Sequence, residues 1–274
     1  MSPWERLLEK PHARGHVVQL YPEGDEVSLV ANVSLYLSEG LKRGEGVLVV
    51  AAAAHRESFA RELDRLGVDT GSAIQTSQLV CIDARETLSQ FMTAGQPDWD
   101  KFEIAMGTAM RAVRSAGDRP GLRAYGEMVG LLWTKGQYSA AIRLEQFWNK
   151  LLARSSFSLY CAYPIDVFDK KFHAAALDGV LCAHTHLMPA ETSGNLETAV
   201  SLAMDEVLGA KADTFRNLII QENQRSSWAV MPKGETAILW LRRNLPEQAE
   251  RIVARAREYY RRSVQLTGPV FANE

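Results

Sequence analysis

Three groups of residues in this 274-residue chain carry side chains that could do chemistry. The first is Leu122-Arg-Ala-Tyr-Gly-Glu-Met128. Read as a strand, its period of two puts Arg123, Tyr125 and Glu127 on one face. The inner strands of a parallel sheet are covered on both faces and are mostly apolar, so three polar groups in a row need a reason. One reason is an Arg123–Glu127 pair with Tyr125 packed between, serving only the core. The other places Glu127 at the carboxyl end of its strand, where ligands bind in open α/β sheets. The second group is Phe157-Ser-Leu-Tyr-Cys-Ala-Tyr163, where Phe157, Leu159, Cys161 and Tyr163 share a face. Cys161 reads as a small buried hydrophobe. Tyr163 ends its strand, as Tyr21 ends His16–Tyr21. On the helix between these groups, Tyr138, Ile142, Glu145 and Asn149 fall on one side. A pocket lined by Tyr21, Tyr125, Glu127, Trp133, Glu145 and Tyr163, with Arg123, Asn149 and Cys161 beside it, is the expected ligand site. Its aromatic wall and two carboxylates suit a small apolar or cationic ligand.

The third group is Cys182-Ala-His184-Thr-His186. Residues two apart do not share a helix face. They converge on one ion only if the helix ends, and the chain extends, near Ala183. Zinc sites usually add ligands from elsewhere, and Cys161 or His173 are the available ones. The simpler expectation is a helix C-terminus whose histidines cap carbonyls. No metal and no cofactor are therefore expected.

Other chemistry is missing. In a nucleotide-hydrolysing α/β protein the turn after the first strand carries several glycines, a Lys and a Ser or Thr around the phosphates. Here that turn is Pro22-Glu23-Gly24-Asp25-Glu26. Three carboxylates suit a helix N-terminus and repel a triphosphate. No G-x-S-x-G, H-E-x-x-H or paired C-x-x-C occurs. Asp83 ends an apolar strand as a Mg²⁺-binding aspartate would, but a helix N-cap is the simpler role.

The elements that must position these groups follow from periodicity. His16–Tyr21, Gly46–Ala53, Leu79–Asp83, 122–128 and 157–163 read as strands. Between them lie helical segments at 25–43, 55–66, 98–116, 138–153 and 172–187. Such alternation indicates βαβ units and a mostly parallel sheet flanked by helices, an α/β fold. Beyond Pro189 the pattern turns wholly helical. Residues 195–222 form one segment. Glu235–Val264 is rich in Arg and holds Pro246, so two helices with a break near Asn244 are expected. The division is thus an α/β domain over 15–190 and a helical extension over 195–274, with 268–274 frayed. Leu239 and Ile252 should pack on the chain's own domain. Trp228 or Trp240, together with the arginines (Arg225 among them), should face a second subunit, giving a homo-oligomer.

A net charge of -2 gives no field that favours nucleic acid. No apolar run approaches the ~20 residues of a membrane span. Residues 1–15 hold charges and Pro in place of a secretory signal. Three cysteines fit no disulfide framework. A cytoplasmic protein, away from membrane and nucleic acid, is expected.

The ordered series Y-P-E-G-D (21–25), G-L-K-R-G-E (40–45), D-A-R-E-T-L-S-Q-F-M (83–92), P-D-W-D-K-F (97–102), Y-G-E-M (125–128), L-E-Q-F-W-N (144–149), L-Y-C-A-Y (159–163) and C-A-H-T-H (182–186) resembles the MEDS family. That family is the sensory domain of methanogen and methylotroph regulators of the DcmR type. The resemblance covers roughly residues 15–190. It implies a RecA/KaiC-like fold without its phosphate loop and a sensory or regulatory role. Glu127, Glu145 and Cys161 match family positions. Residues 1–14 are too short for the DNA-binding module of DcmR-type regulators, and 195–274 carry no kinase signature. The expected function is therefore non-catalytic sensing of a small molecule, in signal transduction or transcriptional control, through a regulatory partner protein. The alternative is a residual nucleotide-binding protein or an enzyme on a RecA-like fold.

Overall fold

The computed structural model describes residues 3–114, 117–189, 194–223 and 228–267. In chain order it forms α1 (Pro3–Glu9), β1 (His16–Tyr21), α2 (Val27–Lys42), β2 (Gly46–Ala51), α3 (Ala53–Arg65), α4 (Thr70–Gln75), β3 (Leu79–Asp83) and α5 (Ala84–Phe91). The chain continues through β4 (Met92–Thr93), β5 (Gln96–Pro97), α6 (Trp99–Arg114), β6 (Leu122–Gly126), α7 (Met128–Thr134), α8 (Tyr138–Arg154) and β7 (Ser158–Pro164). It ends with α9 (Ala174–Ala183), β8 (His186–Met188), α10 (Asn195–Leu208), α11 (Ala212–Asn223), α12 (Lys233–Asn244) and α13 (Pro246–Thr267).

Six strands form one parallel sheet in the order β3-β2-β6-β7-β1-β8. The apolar runs 16–21 and 46–51 are buried along their whole length, as strands covered on both faces must be. One layer packs α1 to α4 on the face shown by Val17, Val49, Tyr125 and Tyr160. The other packs α5 to α9 on the face shown by Val18, Val50, Ala124 and Cys161. The fold is therefore α/β, with a C-terminal helical part. That part continues the second layer: Leu239 and Ile252 are buried in the same apolar cluster as Leu177 and Cys161.

Several local devices match the sequence. The Asp83 carboxylate accepts the N–H groups of Arg85 and Glu86 at the start of α5. The C-terminal helices break between Asn244 and Pro246, where Pro removes a donor and clashes with the preceding turn. Other features differ. Residues 92–97 form a small antiparallel hairpin, β4 with β5. The helix expected over 172–187 stops at Ala183, and His186 opens a sixth strand beside β1. Residues 3–9 form a helix, and the segment 195–222 is interrupted at Gly209, whose φ is +55°.

The two tryptophans of the C-terminal part pack inward in part. Trp228 Nε1 donates to Asp178 Oδ1 at 2.8 Å, and the Trp240 ring sits 5.9 Å from Phe215. Arg225 and residues 268–274 lie outside the described residues. No described helix is long and apolar enough to cross a membrane.

Candidate functional site

The sheet divides the expected site residues among three places. The first lies at the carboxyl ends of β1, β2 and β6. Glu127 follows β6 directly, so the strand's period carries its side chain to the α2–α3 face. Its Oε1 accepts the N–H of Ala52 at 2.5 Å. Ala52 is the N-cap of α3, so the carboxylate meets the positive end of that helix. Oε2 accepts from Tyr125 Oη at 3.2 Å and from His55 Nδ1. His55 Nε2 in turn lies 2.9 Å from Glu26 Oε2. Glu26 closes the Pro22–Glu26 turn, and Gly24 in that turn has φ +84°. Such a φ is open to glycine at little steric cost. Tyr21 sets its ring edge-on to His55 at 6.1 Å.

These groups border a cleft of about 260 Å³, with Arg85 and Lys135 on its rim and Leu131 and Pro164 on its wall. Burial pulls the His55 pKa down, but the hydrogen bond and charge of Glu127, with Glu26 behind it, raise it above its ordinary value. Burial, and next Glu127, push the Tyr21 and Tyr125 phenols up. Both phenols therefore stay neutral, and Tyr125 donates to Glu127. The arrangement can hold a proton on His55 between two carboxylates.

The second place is the opposite face of the sheet, within the core. Glu145 and Asn149 point inward from α8, and Cys161 and Tyr163 from β7. They meet His16 at the start of β1 and His184 at the end of α9. Glu145 Oε1 accepts from Tyr163 Oη at 2.7 Å. Its Oε2 lies 3.3 Å from His16 Nε2. His16 Nε2 also lies 3.3 Å from Cys161 Sγ. All four of His16, Glu145, Cys161 and His184 are buried, and their ligand atoms lie within 4.8 Å of one another. Trp133 packs edge-on against Tyr163 at 5.4 Å between ring centroids. Burial and His16 bring the His184 pKa down to about 4.

The third place holds Arg123 alone among the expected residues. Although on the same face as Glu127, it lies toward the other end of the strand and does not pair with it. Its Nε donates to Glu45 Oε2 at 2.5 Å. Its terminal nitrogens donate to the carbonyls of Leu8, Tyr36 and Glu9 at 2.8–2.9 Å. The short helix α1 is thereby pinned to α2. Of the metal-motif residues, His184 alone enters the buried cluster. Cys182 Sγ lies 3.9 Å from Asp178 Oδ1 at the surface, and His186 packs toward His12. With the helix ended at Ala183, alternate residues diverge across an extended chain.

His55 and His16 were not singled out in the sequence, and Glu26 was read only as one of three carboxylates in the first strand-to-helix turn. His55 stands in a plain run, Ala-Ala-Ala-Ala-His-Arg, and His16 reads only as the first residue of a strand. A polar residue opening a buried apolar strand was the one available signal.

The sheet, with carboxylates in its first strand-to-helix turn and buried imidazole–carboxylate groups on both faces, defines an α/β domain in which carboxylates stand where a phosphate loop would be. Residues 15–185 match the family described as MEDS, the MEthanogen/methylotroph, DcmR Sensory domain. The chain belongs to that family, and its role is sensory or regulatory. No curated protein and no solved structure matches the chain.

Proposed function

We propose that this chain is a non-catalytic sensory module that takes a small apolar or cationic ligand into the Glu127 cleft and signals through a partner protein. The observation that carries this reading is the Glu127–His55–Glu26 chain, which places two carboxylates around one imidazole at the strand ends. A cleft of about 260 Å³ admits a small molecule, below the ~300–1,000 Å³ of pockets for drug-sized ligands.

A route to an output also supports the reading. The Pro22–Glu26 turn offers Glu23 and Glu26 to the cleft. On its other side, Pro22 and Asp25 border a cavity shared with Arg257, Tyr260 and Arg261 of α13. A ligand that shifts this turn would bias the C-terminal helices, and those helices are the proposed surface for a partner or a second subunit. A RecA/KaiC-like ancestry without the phosphate loop belongs to the same proposal.

The test is calorimetric titration and thermal-shift measurement with tetramethylammonium, methylamine, dichloromethane and Mg·ATP, on the wild type and Glu127→Gln. Saturation of one of the first three should raise the melting temperature, and Glu127→Gln should abolish the shift while staying folded. Micromolar binding of Mg·ATP alone would instead favour the residual nucleotide binder.

A further inference from the structure

The hydrogen bonds around the buried cluster determine which atoms carry hydrogens. The carbonyl oxygen of Val180 can only accept, and it lies 2.7 Å from His184 Nδ1. His184 therefore carries its hydrogen on Nδ1. The carbonyl oxygen of Ala183 likewise only accepts, and Asn149 Nδ2 donates to it at 2.8 Å. That orients the Asn149 amide so that Oδ1 faces His16 Nδ1 at 2.9 Å, and His16 too carries its hydrogen on Nδ1. In the neutral rings both Nε2 atoms are bare lone pairs. Both point at the carboxylate of Glu145, itself an acceptor, at 3.3 and 3.4 Å. His184 Nε2 is buried and makes no hydrogen bond among the described residues. Three acceptors and one thiol thus converge, fully buried, a costly arrangement unless a cation sits among them.

We propose that His16 Nε2, His184 Nε2, Cys161 Sγ and Glu145 hold a divalent transition-metal ion of the zinc class. Four observations point the same way. The donor set is two imidazoles, one thiolate and one carboxylate, the chemistry zinc prefers. Tetrahedral zinc with bonds of about 2.0–2.3 Å places its donor atoms roughly 3.3–3.7 Å apart. Four contacts here are 3.3, 3.3, 3.4 and 3.7 Å, those to Glu145 through both of its oxygens, and the chosen ligand atoms all lie within 4.8 Å of one another. The outer hydrogen bonds from Nδ1 to Val180 and Asn149 are those that fix metal-bound histidines. Charge also balances: two positive charges meet one thiolate and one carboxylate in a site without solvent.

A proton is the competing cation. On His16 Nε2 it would serve Glu145 or Cys161 and leave His184 Nε2 unmatched. A second proton, on His184 Nε2, would set two imidazolium rings with centroids 4.0 Å apart against one carboxylate. The Cys161 ligand is the thiolate, so metal binding displaces the thiol proton and releases it to solvent. The four ligands come from β1, α8, β7 and the α9–β8 junction, and the ion would tie these segments together. It is a closed, structural site, on the sheet face opposite the Glu127 cleft, and its failure would leave the sensory reading of that cleft untouched.

The experiment uses the full chain expressed in cobalt-supplemented minimal medium, with elemental analysis beside absorption spectra. The expected result is about one metal ion per chain, with tetrahedral visible bands and a near-ultraviolet thiolate-to-cobalt band. Cys161→Ser should lose the thiolate band, and Asn149→Ala should weaken metal retention about 10–100-fold, as loss of an outer partner does. Circular dichroism separates loss of metal from loss of fold, and the wild-type spectrum decides if a variant does not fold. Folded wild-type protein without stoichiometric metal, or a thiolate band that survives Cys161→Ser, would overturn the assignment.

Discussion

His55 and Glu127, 72 residues apart, meet through an Nδ1–Oε2 hydrogen bond that ties the start of α3 to the end of β6. The other imidazole nitrogen faces Glu26 at 2.9 Å. An imidazole between two carboxylates is favoured as imidazolium.

That contact gives the protein a pH dependence. The His55 pKa is raised on folding, because Glu127 and Glu26 outweigh the opposing effect of burial. The folded state then binds the His55 proton more tightly than the unfolded state. Its contribution is fully present below the unfolded value of about 6.5 and is lost as pH rises through the higher folded value. The stability gap between wild type and His55→Gln should therefore shrink as pH rises across that window. Melting curves of both proteins check this; a gap that widens with pH would contradict it.

Arg123 should prove structural. Its guanidinium is buried, pairs with Glu45 and satisfies three carbonyls. Arg123→Ala leaves those acceptors unmet and should cost about 3–5 kcal/mol. Lysine cannot reproduce the fork and should rescue little. Urea denaturation measures both. Ligand affinity at the Glu127 cleft should stay unchanged in whatever fraction remains folded.

Glycine 130 sits where α7 crosses β7. A Cβ there would meet the Ala162 carbonyl oxygen at 2.7 Å and Pro164 Cδ at 3.2 Å. Backbone cannot yield as a side chain can, so Gly130→Ala should destabilise by about 1–3 kcal/mol. At Gly126 the nearest atom would be Trp148 Cζ2 at 3.6 Å, an ordinary contact. Gly126→Ala should be far milder. Equal losses in the two would show that α7 can move off the sheet.

Arg242 docks the C-terminal helices. Its Nη1 donates to the carbonyls of Asp169 and Phe172 at 2.6 and 2.5 Å, and Nη2 to that of Phe168 at 3.2 Å. Arg242→Met should cost on the order of 3 kcal/mol. It should also speed amide hydrogen exchange in 168–172 before that in β1 and β7. Unchanged exchange in that loop would show that apolar packing alone holds α12 in place.

Much of this was legible in the chain. Period-two patterning assigned Arg123, Tyr125 and Glu127 to one strand face, and Cys161 and Tyr163 to one face of another. Pro246 marked the helix break, Asp83 the helix cap, and Pro22–Glu26 the missing phosphate loop, because each is a local effect of a single residue's backbone or charge. What no local pattern holds is the phase between strands. The pairing of Arg123 with Ser158 and Tyr125 with Tyr160 sets Glu127 and Cys161 on opposite faces of the sheet. One expected pocket thereby became a cleft and a buried cluster. The partners that complete them, His55 for Glu127 and His16 for Cys161, are 72 and 145 residues away. Contacts at that separation depend on which strands are neighbours and in what register, and only the folded sheet decides both.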